Sequence, residues 1–285
     1  MFAHEFMRNA LIAGTFVGLA CGLVGYFVVL RAQVFAGDAL SHVAFTGGLA
    51  AAVLGLDILA GVFAATILGG IVIGLLGDKA HADDVAIGSF FAWSLGLGVL
   101  FLTIFTTQKS AGNGTAGVRV LFGSIFGLSG SDVRTSVALS LVACALLLAV
   151  ARPLLFASLD NAVAAAQGVP VRVLGLGFLA LLGLVAAQAT QAVGALLLLG
   201  LLAAPAGAAH RLTADPYLAL ALSGLFALAA MWIGLALSYA VASVPPSTAV
   251  VSVASAMYAI AFLLTARPRA PRFAAAQARA GANLD

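Results

Sequence analysis

Charge is what this sequence has least of. Only 8% of its 285 residues are Asp, Glu, Lys or Arg, against about 25% in a soluble domain, while 63% are hydrophobic. So few charges cannot cover a water-facing surface, which excludes a soluble globular fold. Cysteine is nearly absent. Cys21 and Cys144 both fall inside apolar runs, which leaves them as small packing residues and excludes a disulfide framework or a Cys-based metal knuckle. No G-x-x-x-x-G-K-[ST] occurs, so the chain does not itself cradle ATP. No H-E-x-x-H and no G-x-S-x-G occur either, so neither an intramembrane zinc protease nor a serine hydrolase is supported. Alternating ten-residue segments, the mark of a membrane β-barrel, are missing as well. The net charge of +3 is spread over segment ends without a basic patch, and no nucleic-acid partner is implied.

What the sequence has is apolar length. The mean hydropathy is +1.16, and runs long enough to cross a bilayer as helices recur from end to end. The fold class expected is all-α, a polytopic transmembrane bundle of about nine spans. They are placed near 10–30, 38–56, 58–77, 86–107, 135–151, 173–189, 192–209, 217–240 and 247–266. With the N-terminus outside, Arg31, Lys79, Arg152, Arg172, Arg211, Arg267, Arg269, Arg272 and Arg279 fall inside, against Arg8, Lys109, Arg119 and Arg134 outside. That bias favours N-out and C-in. The opening MFAHEFMRNA carries a glutamate and little positive charge, so it reads as the approach to the first span, not as a cleaved signal. Residues 1–266 form one membrane domain. The basic, Pro/Ala-rich tail 267–285 reads as a disordered segment at the inner surface. Gly and Ala recur at small-xxx-small spacing, as in GTFVG (14–18), which lets helices pack closely in lipid.

Two stretches do not span. The outer loop 108–134 carries VLFGSIFGL, too short to cross, which fits a re-entrant or interfacial segment. The inner loop, about 153–172, holds an Ala-rich helical piece that Ser158 or Asp160 can cap and that Gly168 with Pro170 stops. It suits either a plain connector or a dock for a cytosolic partner. Chemistry-bearing side chains are sparse at membrane depth. In GDALSH (37–42), Asp38 and His42 lie four residues apart on one helix face, His42 near the midpoint between Arg31 and Asp57 and Asp38 about one turn nearer the inner side. Three readings stand on spacing alone: mutual satisfaction or capping, a proton relay, or a metal site built from carboxylate oxygen and imidazole nitrogen. Thr46 shares the face and supplies a hydroxyl to the pathway or bonds back within its helix. His210, beside Arg211, and His81 read as solvated residues of inner helix ends and loops. Gln188 and Gln191 flank the break between the sixth and seventh spans, where either helix capping or the rim of a pathway fits them.

Six stretches in order then resemble one family. They are EFMRNALIAGTFVGLACGLVGYFVVLRAQVFAGDALSHVAFTG (5–47), DDVAIGSFFAWSLGLGVLFL (83–102), LFGSIFGLSGSD (121–132), SLDNAVAAAQGVPVRVLG (158–175), VGALLLLGLLAAPAGAAHRLT (193–213) and PPSTAVV (245–251). The chain resembles the membrane permeases of bacterial ATP-binding-cassette importers of zinc, manganese or iron(II). The resemblance implies a transport subunit of the inner membrane, not an enzyme, moving the ion by alternating access through a dimer axis. It implies Asp38 and His42 as ligands of transported Zn2+ or Mn2+, with Fe2+ also compatible and no permanently bound cofactor. It implies three protein partners: a cytosolic ATPase, an extracytoplasmic metal-binding protein and a second permease chain, taken as a homodimer. Membrane lipid surrounds the assembly. Asp160, Val163, Ala164, Gly168, Val169 and Pro170 then form the ATPase-docking segment, although the family's FDPE-like start here reads SLDNA. The alternative from another class is a secondary transporter or channel that uses Asp38 and His42 as a relay.

Overall fold

The computed structural model of the chain describes residues 4–77, 84–108, 123, 125–195, 198–241 and 243–266. It is all-α among these residues. The helices are α1 (Glu5–Leu30), α2 (Val34–Leu54), α3 (Ile58–Leu76), α4 (Asp84–Gln108), α5 (Gly130–Leu159), α6 (Asn161–Ala166), α7 (Val171–Val193), α8 (Leu198–Leu212), α9 (Pro216–Ala240) and α10 (Pro246–Thr265). A single 3-10 turn, Ile125–Gly127, precedes α5.

Local sequence sets the ends. Asp57 caps α3 by accepting from the Ala60 amide at 2.8 Å. Ser129 and Asp132 make a reciprocal capping box at the start of α5. Asp215 caps α9, with Pro216 at its first position. Gly55, at φ +73°, closes α2 in the left-handed conformation that a side chain disfavours.

Eight of these helices are long and apolar enough to cross a membrane, so this is a multi-pass membrane protein. The stretch expected as a seventh span, 192–209, is different. Its helix is α8, only 15 residues long, or about 22 Å at the helical rise, against roughly 30 Å of hydrocarbon. Gly194, at φ 86° and ψ 159°, ends α7 just before it.

Contacts at the helix ends define two faces. On one, Arg31 at the end of α1 meets Ser158 at the end of α5 at 3.2 Å, and His210 near the end of α8 meets the Tyr26 carbonyl at 3.2 Å. On the other, His4 and Phe6 at the start of α1 meet Tyr239 at the end of α9 and Phe126 of the 3-10 turn. Along α8, Gly200 and Gly207 face Val251 and Tyr258 of α10 in turn, so α8 runs parallel to α10.

α1 is the central post, packed on α5, α7, α8 and α9. The small residues of its GTFVG stretch and beyond make this fit. A Cβ on Gly18 would lie 2.8 Å from Met231 Cγ, and one on Gly22 would lie 2.5 Å from the Ser223 carbonyl oxygen. Ser223 fills the same seam with a 2.6 Å hydrogen bond to the Gly22 carbonyl. The part of the outer loop that is described contributes the turn around Ile125, which is buried against α1, α7 and α10.

Candidate metal pathway on α2

α2 is wedged between α3 and α4 and backed by α7 and α8. Its Gly37 side meets Leu202 of α8. The opposite strip carries Phe35, Asp38 and His42, all at least partly exposed in the single chain, within a helix otherwise largely buried. Asp38 is the fifth residue of α2 and His42 the ninth of 21, so the pair sits from about one turn inside the helix to near its middle.

The His42 ring packs edge-on against Phe91 of α4 at 5.0 Å, and Phe91 also meets Phe35. The structure gives neither the Asp38 carboxylate nor the His42 ring a hydrogen bond or ion pair among the described residues. The two therefore do not satisfy each other. Ser41, on the neighbouring face, donates to the Asp38 backbone carbonyl at 2.6 Å, which leaves the carboxylate open. Two donors form no complete coordination shell, and no cluster of three His, Cys, Asp or Glu side chains occurs among the described residues.

Thr46 is buried and faces α4. Its hydroxyl donates to the Ser94 carbonyl at 2.9 Å, and the Ser94 hydroxyl lies 3.3 Å away. It also lies 3.3 Å from the His42 carbonyl. Thr46 thus clamps α4 to α2 one turn beyond His42. Ser94 was not singled out from the sequence, because nothing local tells which face of α4 meets α2.

At the face holding Ser158, Asp160 accepts from the Val163 amide at 3.0 Å and caps α6. Val163 is exposed, Ala164 is fully buried beneath it, and Gly168 at φ +83° turns the chain past Val169 into Pro170, which starts α7. The six residues grouped by resemblance are therefore contiguous on one face. Val163 among them, and Leu159 just before them, are exposed.

His210 is not a solvated helix-end residue. It stacks on Tyr26 at 4.5 Å and 9°, besides its contact with the Tyr26 carbonyl. His81 lies outside the described residues. Gln188 is an interior residue, not a rim residue: it is buried and accepts from the Ser140 hydroxyl at 2.8 Å, joining α7 to α5.

The family model described as the ABC 3 transport family matches residues 3–265. The chain belongs to that family. It is a membrane permease, a transport subunit and not an enzyme. It is 29% identical over 268 residues to the manganese transport system membrane protein MntC of Halalkalibacterium halodurans, covering 93% of this chain and 89% of that one. It is 27% identical over 266 residues to the manganese import system permease protein ScaB of Streptococcus parasanguinis, covering 93% and 92%. Among solved structures, PsaBC from Streptococcus pneumoniae in complex with Fab matches with a TM-score of 0.79 and 30% identity, over 91% of each chain.

Proposed function

We propose that this permease is the membrane subunit of an ATP-driven importer of divalent transition-metal ions, with Mn2+ as the substrate. The observation that carries the proposal is the Asp38–His42 strip on α2, partly open and without a polar partner, where the described residues alone offer no group of three ligands. A second copy across a two-fold axis supplies a second carboxylate and a second imidazole. Two Asp and two His side chains offer four to six oxygen and nitrogen donors, a set that suits Mn2+ and Fe2+ and is harder than the thiolate sets of structural zinc sites. The manganese permeases among its relatives support Mn2+ over Zn2+.

In this reading the face carrying α6 is cytosolic. A separate ATPase chain grips Leu159 and Val163 there, and an extracytoplasmic binding protein delivers the ion to the opposite face. ATP binding and release swing the two permease copies between outward-open and inward-open arrangements. Asp38 and His42 then hold the ion where neither side has access. Charged and polar groups this deep in a bilayer are costly, and a transported cation is the partner that offsets the cost.

The test is cellular metal content, by elemental analysis, in a strain lacking this gene. Wild type is expected to restore manganese, whereas Asp38→Asn and His42→Ala at matched expression are not. Restoration of zinc or iron alone would reassign the substrate. Full restoration by both variants would overturn the ligand roles. Uptake that survives loss of the ATPase but collapses with the proton gradient would favour a secondary transporter.

A further inference from the structure

Arg31 stands out as a buried guanidinium at the turn between α1 and α2. It is 5% exposed, which is rare for Arg outside a network that holds it. Its Nη1 donates to the Ser158 hydroxyl at 3.2 Å and its Nε to the Gln33 side-chain carbonyl at 3.4 Å. Its guanidinium lies 5.6 Å from the centroid of the Phe178 ring on α7. Ser158 can accept because its own hydrogen goes to the Leu154 carbonyl at 2.6 Å.

These contacts lie on both sides of α6. Ser158 is two residues before its cap, Asp160, and Phe178 is two turns into the helix that follows it. The third side is the turn that starts α2. That turn is stiff: the amides of Arg31, Ala32 and Gln33 all bond back to the last turn of α1, at 2.9, 3.1 and 2.8 Å. Ala32 is held at φ +54°, a left-handed conformation costly for a residue with a Cβ. A displacement of α6 carried into α5 or α7 therefore meets Arg31, and the short stiff turn passes it to α2, whose fifth residue is Asp38.

We infer that Arg31 is a positioning residue that couples the α6 segment to the Asp38–His42 pair. The inference rests on the transport function proposed above and adds to it the link between the ATPase face and the ion site. Removing the link uncouples the two: the ATPase still assembles and hydrolyses ATP, but fewer ions cross per ATP.

The experiment uses the full permease–ATPase complex in proteoliposomes and measures Mn2+ uptake and ATP hydrolysis together. Arg31→Gln is expected to lower the uptake-to-hydrolysis ratio about threefold or more while ATPase binding is unchanged. Arg31→Lys keeps the charge but loses the planar fork, and is expected to fall between wild type and Arg31→Gln. Ser158→Ala removes the acceptor at α5 without touching the turn, and is expected to lower the ratio in the same direction. It keeps the test decisive if Arg31→Gln does not assemble. If wild type moves Mn2+ with ATP and all assembled variants keep the wild-type ratio, the coupling role is wrong while the transport function stands. If wild type itself moves no metal, the transport reading has failed, and the inference with it.

Discussion

At the residue scale, the site is defined by what its side chains are not bonded to. Asp38 and His42 share a helix face one turn apart, yet the structure gives neither a polar partner among the described residues. Thr46, one turn further, is fully engaged with Ser94. The close approach of α4 here depends on Gly98, where a Cβ would lie 2.8 Å from Thr46 Oγ1 and 3.4 Å from the Phe45 ring. Gly98→Ala is expected to push α4 off α2 and cost about 1–3 kcal/mol. It would appear as a lower thermal unfolding midpoint of the detergent-solubilised protein. Gly96→Ala, two residues away with nothing within 4 Å of the new Cβ, is expected to leave the midpoint unchanged or raise it slightly. Equal losses in the two would contradict this packing. At this scale the sequence was readable where a rule is local. The i, i+4 spacing put Asp38 and His42 on one face without any knowledge of the neighbours. It could not show Ser94 beneath Thr46, or the Tyr26 ring beneath His210, because those partners lie 48 and 184 residues away.

Elements tell the same story through their ends. The cap at Asp160 and the stop at Gly168 were legible, since an acidic N-cap and a left-handed glycine act within a few residues of themselves. The start of the seventh span was placed too early. A hydropathy window cannot detect that Gly194 breaks the chain, so the apolar stretch 192–209 reads as continuous while the helix begins only at Leu198. Arg31 looked like an ordinary inner-side charge, because burial at this turn depends on α5 and α7 arriving from far along the chain. The α6 cap carries its own prediction. Asp160→Ala removes the bond to the Val163 amide, at a cost of about 1 kcal/mol to a six-residue helix that has little else to hold it. Less of the partner ATPase is expected to co-purify with this variant than with wild type. Undiminished assembly would count against α6 as the dock.

For the whole molecule, the alternating helix directions place the start of α1 and the end of α10 on opposite faces, with α6 on the α10 side. The basic residues Arg31, Arg152, Arg172 and Arg211 cluster at helix ends on the α6 face, against Arg8 and Arg134 on the other. That asymmetry supports an N-out orientation. A cysteine introduced at His4 is then expected to react with a membrane-impermeant thiol reagent added to whole cells, and one at Gln167 only after the membrane is opened. The reverse pattern would invert the proposed direction of transport. The all-α bundle was readable from composition and run length alone, since scarce charge and repeated apolar runs admit few other solutions. How the helices surround α1 was not, because small residues facing one another across a seam leave no mark on any single segment.

In the function proposed here, Asp38 and His42 of two copies hold the transported ion. The decisive measurement is ATP-driven Mn2+ accumulation in proteoliposomes containing the permease, its ATPase and the binding protein. Wild type is expected to accumulate Mn2+ only with hydrolysable ATP. Asp38→Asn and His42→Ala are expected to accumulate about tenfold less or lower still, with assembly intact. Wild-type accumulation by both variants would mean that Asp38 and His42 do not hold the ion.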